Sequence, residues 1–345
     1  MKKIFLMALL LYGYGCSKYP TDNSGRDLLE MESVWQYLKV YSYWQDKVPQ
    51  TAFEYDSPQE MMSSIEDTLG GGNYTIYWHG SHSYSRSDSD GVEFDSLTDS
   101  TAYLRIIGFS EEDLYTYDTF ATLMPKFAKF HNIIIDLIDN PGGGLLTTDS
   151  IINKILPVNT SYIMETYRDY NDTLRTASTI PWYTLKTRGE QCYYFANKKY
   201  AILTNSYSAS ASEIIIAGMK DGLAGASDGD TVTIIGETSY GKGIAQVLIS
   251  RSQFSRRDLK ITFMRIKGIS TRTGDYFRKG IKPDIYVSSP RRSQDRYEQI
   301  VAALKILEPS SNWAAGRTVY KVHANPSTKF RSEHFVVPES DNIIE

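Results

Sequence analysis

Three short stretches set the strongest limit on how this chain can fold: NIIIDLI (132–138), KYAILTN (199–205) and TVTIIGE (231–237). The first is a nearly continuous apolar run, the second is again of the buried type, and the third adds a strand. Such runs fit strands buried on both faces, and these need helices as cover. The segments between them supply it. TFATLMPKFAKF (119–130) and SIINKIL (150–156) read as helices, and the second run leads into a helix with the apolar face Ile214, Ile215, Gly218 and Met219. AYLRIIGF (102–109) and LKITFMRI (259–266) add strands, and DRYEQIVAALKIL (295–307) adds an amphipathic helix. Strands alternating with helices predict an α/β layer architecture over 101–307.

The flanks differ in pattern. Leu28, Met31, Val34, Trp35, Leu38 and Tyr41 recur near the helical period. Ser57-Pro58-Gln59-Glu60 reads as a capped helix start, continued by Met61, Met62, Ile65 and Leu69 and ended by Gly70-Gly71-Gly72. A small helical region over 27–72 is expected. Residues 73–100, rich in Ser and Asp, predict a linker or short hairpin, and 308–345 form a polar tail. His79 and His82 lie three apart with no further ligand nearby, so no metal site is expected.

The first residues carry an address. Met1-Lys2-Lys3 is basic, 4–11 is an apolar run too short to span a bilayer, and Gly13-Tyr14-Gly15 leads to Cys16, with Tyr14 bulky for that place. This ordering predicts a bacterial lipoprotein signal over 1–16, with Cys16 lipidated, and a polar tether over 17–26. The expected location is outside the cytoplasm: an outer-membrane or cell-envelope lipoprotein, meeting the membrane through its lipid anchor alone. Cys192 then has no intrachain partner, so no disulfide framework is expected. A formal net charge of −4 gives no basic excess for nucleic acid.

Three loops follow the three apolar runs. DLIDNPGGGL (136–145) brings three glycines, which let a ligand approach backbone N–H groups. In SYSASASEIIIAGMKD (206–221), Ser210 and Glu213 fit a capping box. A serine there stabilises a helix start; the same place offers free N–H groups to a developing oxyanion. GETSYGKGIAQ (236–246) nearly makes a phosphate loop, but Gly243 stands where the magnesium-binding hydroxyl belongs. No nucleotide is expected. None of the five histidines lies near these turns, and His131 precedes its strand at the wrong end, so Lys242 is the remaining candidate base. An amine serves as a base once burial or dipoles lower its pKa from about 10.4 toward neutrality.

Together the motifs IIIDLIDNPGGGLL, LTNSYSASASEIIIAGMKD, IIGETSYGKGIAQ and FRKGIKPDIYV (277–287) resemble, in family order, the C-terminal-processing or tail-specific serine peptidases. The resemblance implies a ClpP/crotonase-like mixed sheet-and-helix protease core, with Ser210 as nucleophile, Lys242 as general base and Gln246 orienting the lysine. It implies oxyanion donors at the N–H of Ala211 and of a turn glycine, Gly142 with Gly143 beside it. It makes Ser208, Ser212 and Glu213 structural. It implies a serine endopeptidase acting on peptides or unfolded proteins through an acyl-enzyme, with no metal or cofactor. Ile138 departs from the arginine usual after Asp-Leu, and 72–100 is too short for the PDZ domain many relatives carry, as in PDZ-less relatives. Two other readings are a catalytically silent peptide-binding or scaffolding envelope lipoprotein and, from the tyrosine content, a surface carbohydrate binder.

Overall fold

The computed structural model describes residues 23–67, 76–78, 91–109, 115–171, 176–189, 191–224, 231–249, 258–288, 296–309, 318–321 and 333–336. The signal segment with Cys16 and the His79/His82 pair lie outside them. The chain divides between two units, one from Met1–Ser81, Arg168–Ser178 and Gln246–Phe263, the other from the remainder.

In the first unit, α1 (Asn23–Tyr41) begins within the segment expected as a tether, and α2 (Pro58–Asp67) begins at the expected proline. Ser57 Oγ accepts the Glu60 N–H at 3.2 Å, and Glu60 returns a carboxylate oxygen to the Asp56 N–H at 3.0 Å. Val34, Leu38, Met61, Met62 and Ile65 pack with Val48, Leu259 and Ile261 in one core. Leu28, expected on that face, is 54% exposed; the buried side of α1 starts only near Met31. The strand β1 (Ile76–Trp78) pairs antiparallel with residues 258–260.

The second unit holds the sheet that the apolar runs predict. Its strands are β2 (Val92–Ser96), β3 (Thr101–Ile106), β4 (Asn132–Asp136), β8 (Lys199–Thr204), β9 (Thr231–Gly236) and β12 (Ile285–Tyr286), in the order β12-β9-β8-β4-β3-β2. The intervening β5 (Ser161–Asn171), β6 (Thr176–Thr179), β7 (Tyr183–Lys186), β10 (Ile244–Ile249) and β11 (Asp258–Lys267) lie outside this sheet. The β2–β3 pair is an antiparallel hairpin, so the hairpin expected within 73–100 takes its second strand from 101–106. All other neighbours are parallel.

Side-chain alternation divides the sheet between two covers. Ile134, Ala201, Leu203 and Ile235 pack with Ile300, Ala303, Leu304 and Leu307 of the helix Tyr297–Leu307. Their neighbours Ile133, Ile135, Ile202 and Ile234 are buried as well, on the opposite side. Between the strands run α3 (Tyr115–Leu123), α4 (Leu145–Ile155) and α5 (Ala211–Gly222), so the helix Tyr297–Leu307 is α6. Expected over 119–130, α3 passes into a tight 3-10 segment, Met124–Lys129, because Pro125 has no N–H to continue the ladder. Starting directly after the glycines, α4 precedes its expected onset at 150; Thr148 Oγ1 donates to the Gly144 carbonyl at 2.8 Å. A side chain at Gly218 would meet Ile152 Cδ1 at 2.4 Å, so glycine there lets α5 come close to α4.

The chain is mixed α/β, as expected. Within the second unit β5 pairs antiparallel with β7 and with the end of β11. The tail contributes a ribbon of β13 (Thr318–Lys321) and β14 (Glu333–Val336). Among the described residues no helix is long and apolar enough to cross a membrane.

Candidate active site

Ser210 occupies the joint between β8 and α5, with φ 58° and ψ −114°. A residue with a Cβ holds such a backbone only where its surroundings impose it. Here the flanking residues do so. Ser208 Oγ donates to the Leu137 carbonyl at 2.8 Å and accepts the Asn205 N–H at 2.9 Å. The Asn140 carbonyl accepts the Ala209 N–H and Ser212 Oγ, each at 3.0 Å. Ser208 and Ser212 are fully buried in these ties, whereas Ser210 is partly exposed.

The loop they grip follows β4. Asn140 organises it: its amide donates to the Ile106 carbonyl at 2.7 Å, and its Oδ1 accepts the Gly142 N–H at 2.8 Å. Gly142, with φ 99°, has no room for a side chain. A Cβ there would lie 2.7 Å from Ser210 Cβ and from the Ala209 oxygen, and 2.9 Å from Ala211 N. The glycine turn thus rests directly on the serine. This revises one expectation. The Gly142 N–H is engaged by Asn140, so Gly142 provides close approach, not a free donor. Among the described residues no acceptor takes the N–H of Gly143 or of Ala211. Ala211 is the first residue of α5, where an amide has no partner within the helix.

The third loop joins the site through one carboxylate. Glu213 is fully buried. One of its oxygens accepts the Ser210 N–H at 3.0 Å and the Lys242 N–H at 2.8 Å; the other accepts Ser239 Oγ and the Gly241 N–H, both at 2.6 Å. Ser210 and Lys242, far apart in sequence, therefore share a single acceptor atom. Burial pushes the Glu213 carboxyl above its ordinary range, and the bonds from Ser239, Gly241, Lys242 and Ser210 pull it partly back. Gly241 (φ 86°) and Gly243 (φ 49°) flank Lys242, and a Cβ on Gly241 would lie 2.7 Å from Gly280 N, so the lysine turn is packed against the 278–280 backbone. Lys242 is half-buried. Gln246 follows in β10, past the boundary at Ala245 between the two units.

The capping pattern of Ser210 and Glu213 is visible in sequence, but only as a local device. Its wider role comes from Ser239, Gly241 and Lys242, which no spacing rule connects to a helix start. Asn140 is likewise visible only as a turn residue.

Residues 100–287 match peptidase family S41. The chain belongs to peptidase family S41. It is similar to the carboxy-terminal processing protease CtpB of Bacillus subtilis, 29% identical over 193 residues, which are 55% of this chain and 35% of that protein. It is also similar to the carboxyl-terminal-processing protease of Synechocystis sp., 29% identical over 198 residues, 55% of this chain and 39% of that one. The matched part thus spans little more than a third of these relatives. Among solved structures, a lipoprotein from Streptococcus agalactiae shares the fold: 15% identity, TM-score 0.54, covering 86% of this chain and 100% of that one. The S41 match contains β3, β4, β8, β9 and all three site loops.

Proposed function

We propose that this S41 member is a serine endopeptidase in which Ser210 and Lys242 form the working pair. The observation that carries the reading is the shared Glu213 oxygen, which ties the backbone of a strained, partly exposed serine to that of a glycine-flanked lysine. Uncharged Lys242 takes the Ser210 proton as Oγ bonds to a peptide carbonyl carbon. The carbonyl oxygen becomes an oxyanion between the N–H groups of Ala211 and Gly143. The intermediate collapses with cleavage of the C–N bond, and Lys242 returns the proton to the leaving amine. Water then attacks the ester as Lys242 takes its proton, the bond between the acyl carbon and Oγ breaks, and Lys242 returns the proton to Ser210 Oγ as the acid product leaves. Gln246 is the proposed support of the lysine.

The substrates proposed are exported peptides or unfolded proteins. The protein itself is proposed to be anchored through Cys16, on the strength of the basic start, the short apolar run and the glycines Gly13 and Gly15 before that cysteine. The test is casein cleavage with wild type, Ser210→Ala and Lys242→Ala, alongside fluorophosphonate labelling. Both substitutions should abolish cleavage, and the label should map to Ser210. Cleavage or labelling that survives Ser210→Ala moves the nucleophile elsewhere.

A further inference from the structure

We propose that Arg296, just before α6, is a positioning residue for this site: its guanidinium holds the turn after β4 in register with the serine loop. The proposal rests on the reading of Ser210 as nucleophile. Arg296 lies beyond residues 100–287, the segment that matches the family. Its side chain is only 2% exposed. A guanidinium removed from water in this way must be paired. Its Nε lies 3.2 Å from Asp136 Oδ2, and its Nη2 lies 3.4 Å from Asp139 Oδ2. The two carboxylates bracket the three residue steps by which the chain leaves β4.

Each carboxylate continues toward the serine. Asp136, fully buried, also accepts Tyr103 Oη at 2.5 Å and the Ile138 N–H at 2.8 Å. Asp139 holds a left-handed backbone, φ 63°, and exchanges two bonds with Asn205: its N–H to Asn205 Oδ1 at 3.0 Å, and Asn205 Nδ2 to its own Oδ1 at 2.9 Å. The Asn205 N–H goes to Ser208 Oγ, two residues from Ser210. Arg105, the other cation at Asp136, sits at 4.0 Å and is shared with Glu93 at 3.4 Å. Arg296 is thus the guanidinium that spans both aspartates. Without it Asp139 loses this guanidinium, and Asp136 keeps the more distant Arg105. Asp139, whose side chain is 22% exposed, is the one nearer to water, and its movement would draw Asn205 with it.

The experiment compares wild type, Arg296→Lys and Arg296→Met in the full chain. Lysine keeps the charge but reaches one carboxylate at a time. Amide hydrogen exchange should quicken at 137–143 and 205–210 in Arg296→Lys, while the centres of β8 and β9 stay protected. Its kcat on a peptide substrate should fall roughly ten- to a hundredfold, the scale of a sub-ångström to 1 Å displacement, with KM within about threefold. Arg296→Met should lose more, and adding Asp139→Asn to it should cost little further. Unchanged exchange in those two segments overturns the proposal. So does a lowered unfolding midpoint with full kcat in the folded fraction. Full activity in Ser210→Ala removes the nucleophile reading instead, and the exchange pattern remains a separate result.

Discussion

Glu213→Gln tests the joint between the serine and lysine loops most directly. All four partners of the carboxylate are donors, and an amide offers one oxygen. If that oxygen faces Ser210 and Lys242, the new NH2 faces Ser239 and Gly241. Ser239 adapts, because its hydroxyl rotates and its oxygen already accepts the Ile281 N–H at 2.8 Å. The Gly241 amide cannot. The opposite orientation strands both the Ser210 and the Lys242 amides, so the first prevails. One stranded buried donor costs about 1–3 kcal/mol, and weaker bonds to a neutral oxygen add to it. Part is recovered, since burial disfavours the charge that the amide lacks. A net loss of about 1–3 kcal/mol follows. With the lysine turn loosened, kcat should fall roughly ten- to a hundredfold, or about 1.4–2.7 kcal/mol in barrier. Urea unfolding gives the first quantity, and steady-state kinetics on a quenched peptide give the second. A folded variant with an unshifted midpoint and wild-type kcat would refute the claim that Glu213 couples the loops.

Gly142→Ala should retain the fold with reduced stability and lose activity by about 100-fold or more, because its methyl group overlaps Ser210 Cβ and the Ala209 carbonyl and shifts the serine by a sizeable fraction of an ångström. Wild-type kcat in the Gly142→Ala variant would show that the turn does not rest on the serine. Two opposite pH dependences follow from Glu213. Its raised pKa means that the folded state holds the proton to higher pH than the unfolded chain does. Its contribution to stability is therefore fully present below the ordinary glutamate range and is lost as pH rises through the raised value. Activity runs the other way: protonation of Glu213 on the acid side removes an acceptor, so the rate rises with pH through its raised value. Glu213→Gln should erase that step of the pH–rate profile; a profile with the same step in both proteins would assign it to another group.

The sheet is legible because its central strands are wet on neither face. That leaves little choice of layer, and β4, β8 and β9 appear within a residue or two of their expected ends. The strand β5 is not legible, since SYIMETYRDYN mixes aromatic, apolar and charged residues without a clean period of two. Local chemistry also hides which turn amide stays open. Both Gly142 and Gly143 have the conformational freedom the turn needs, but Asn140 two residues before Gly142 closes on its amide and leaves only Gly143 open. The turn receives a guanidinium from Arg296, which is 160 residues from Asp136 and 157 from Asp139 along the chain. A pattern read along the sequence follows neighbours, and Glu213 and Arg296 act on residues that become neighbours only when the sheet closes.

The backbone of Ser210 shows why the neighbouring serines are needed. Its positive-φ conformation costs on the order of 1–3 kcal/mol. Against this stand the Ser208 bond to Leu137, the Ala209 and Ser212 bonds to Asn140 and the Ser210 bond to Glu213. Each contributes about 0.5–1.5 kcal/mol net, more to the carboxylate, so together they are of the size needed to offset the strain. Remove the hydroxyls at 208 and 212 and the margin narrows to the point where the joint can relax into an ordinary helix cap. The alternating serines thus divide the work by side-chain direction: the two buried ones hold the turn, and the conformation they impose leaves the hydroxyl between them partly exposed, beside the open amide of Ala211.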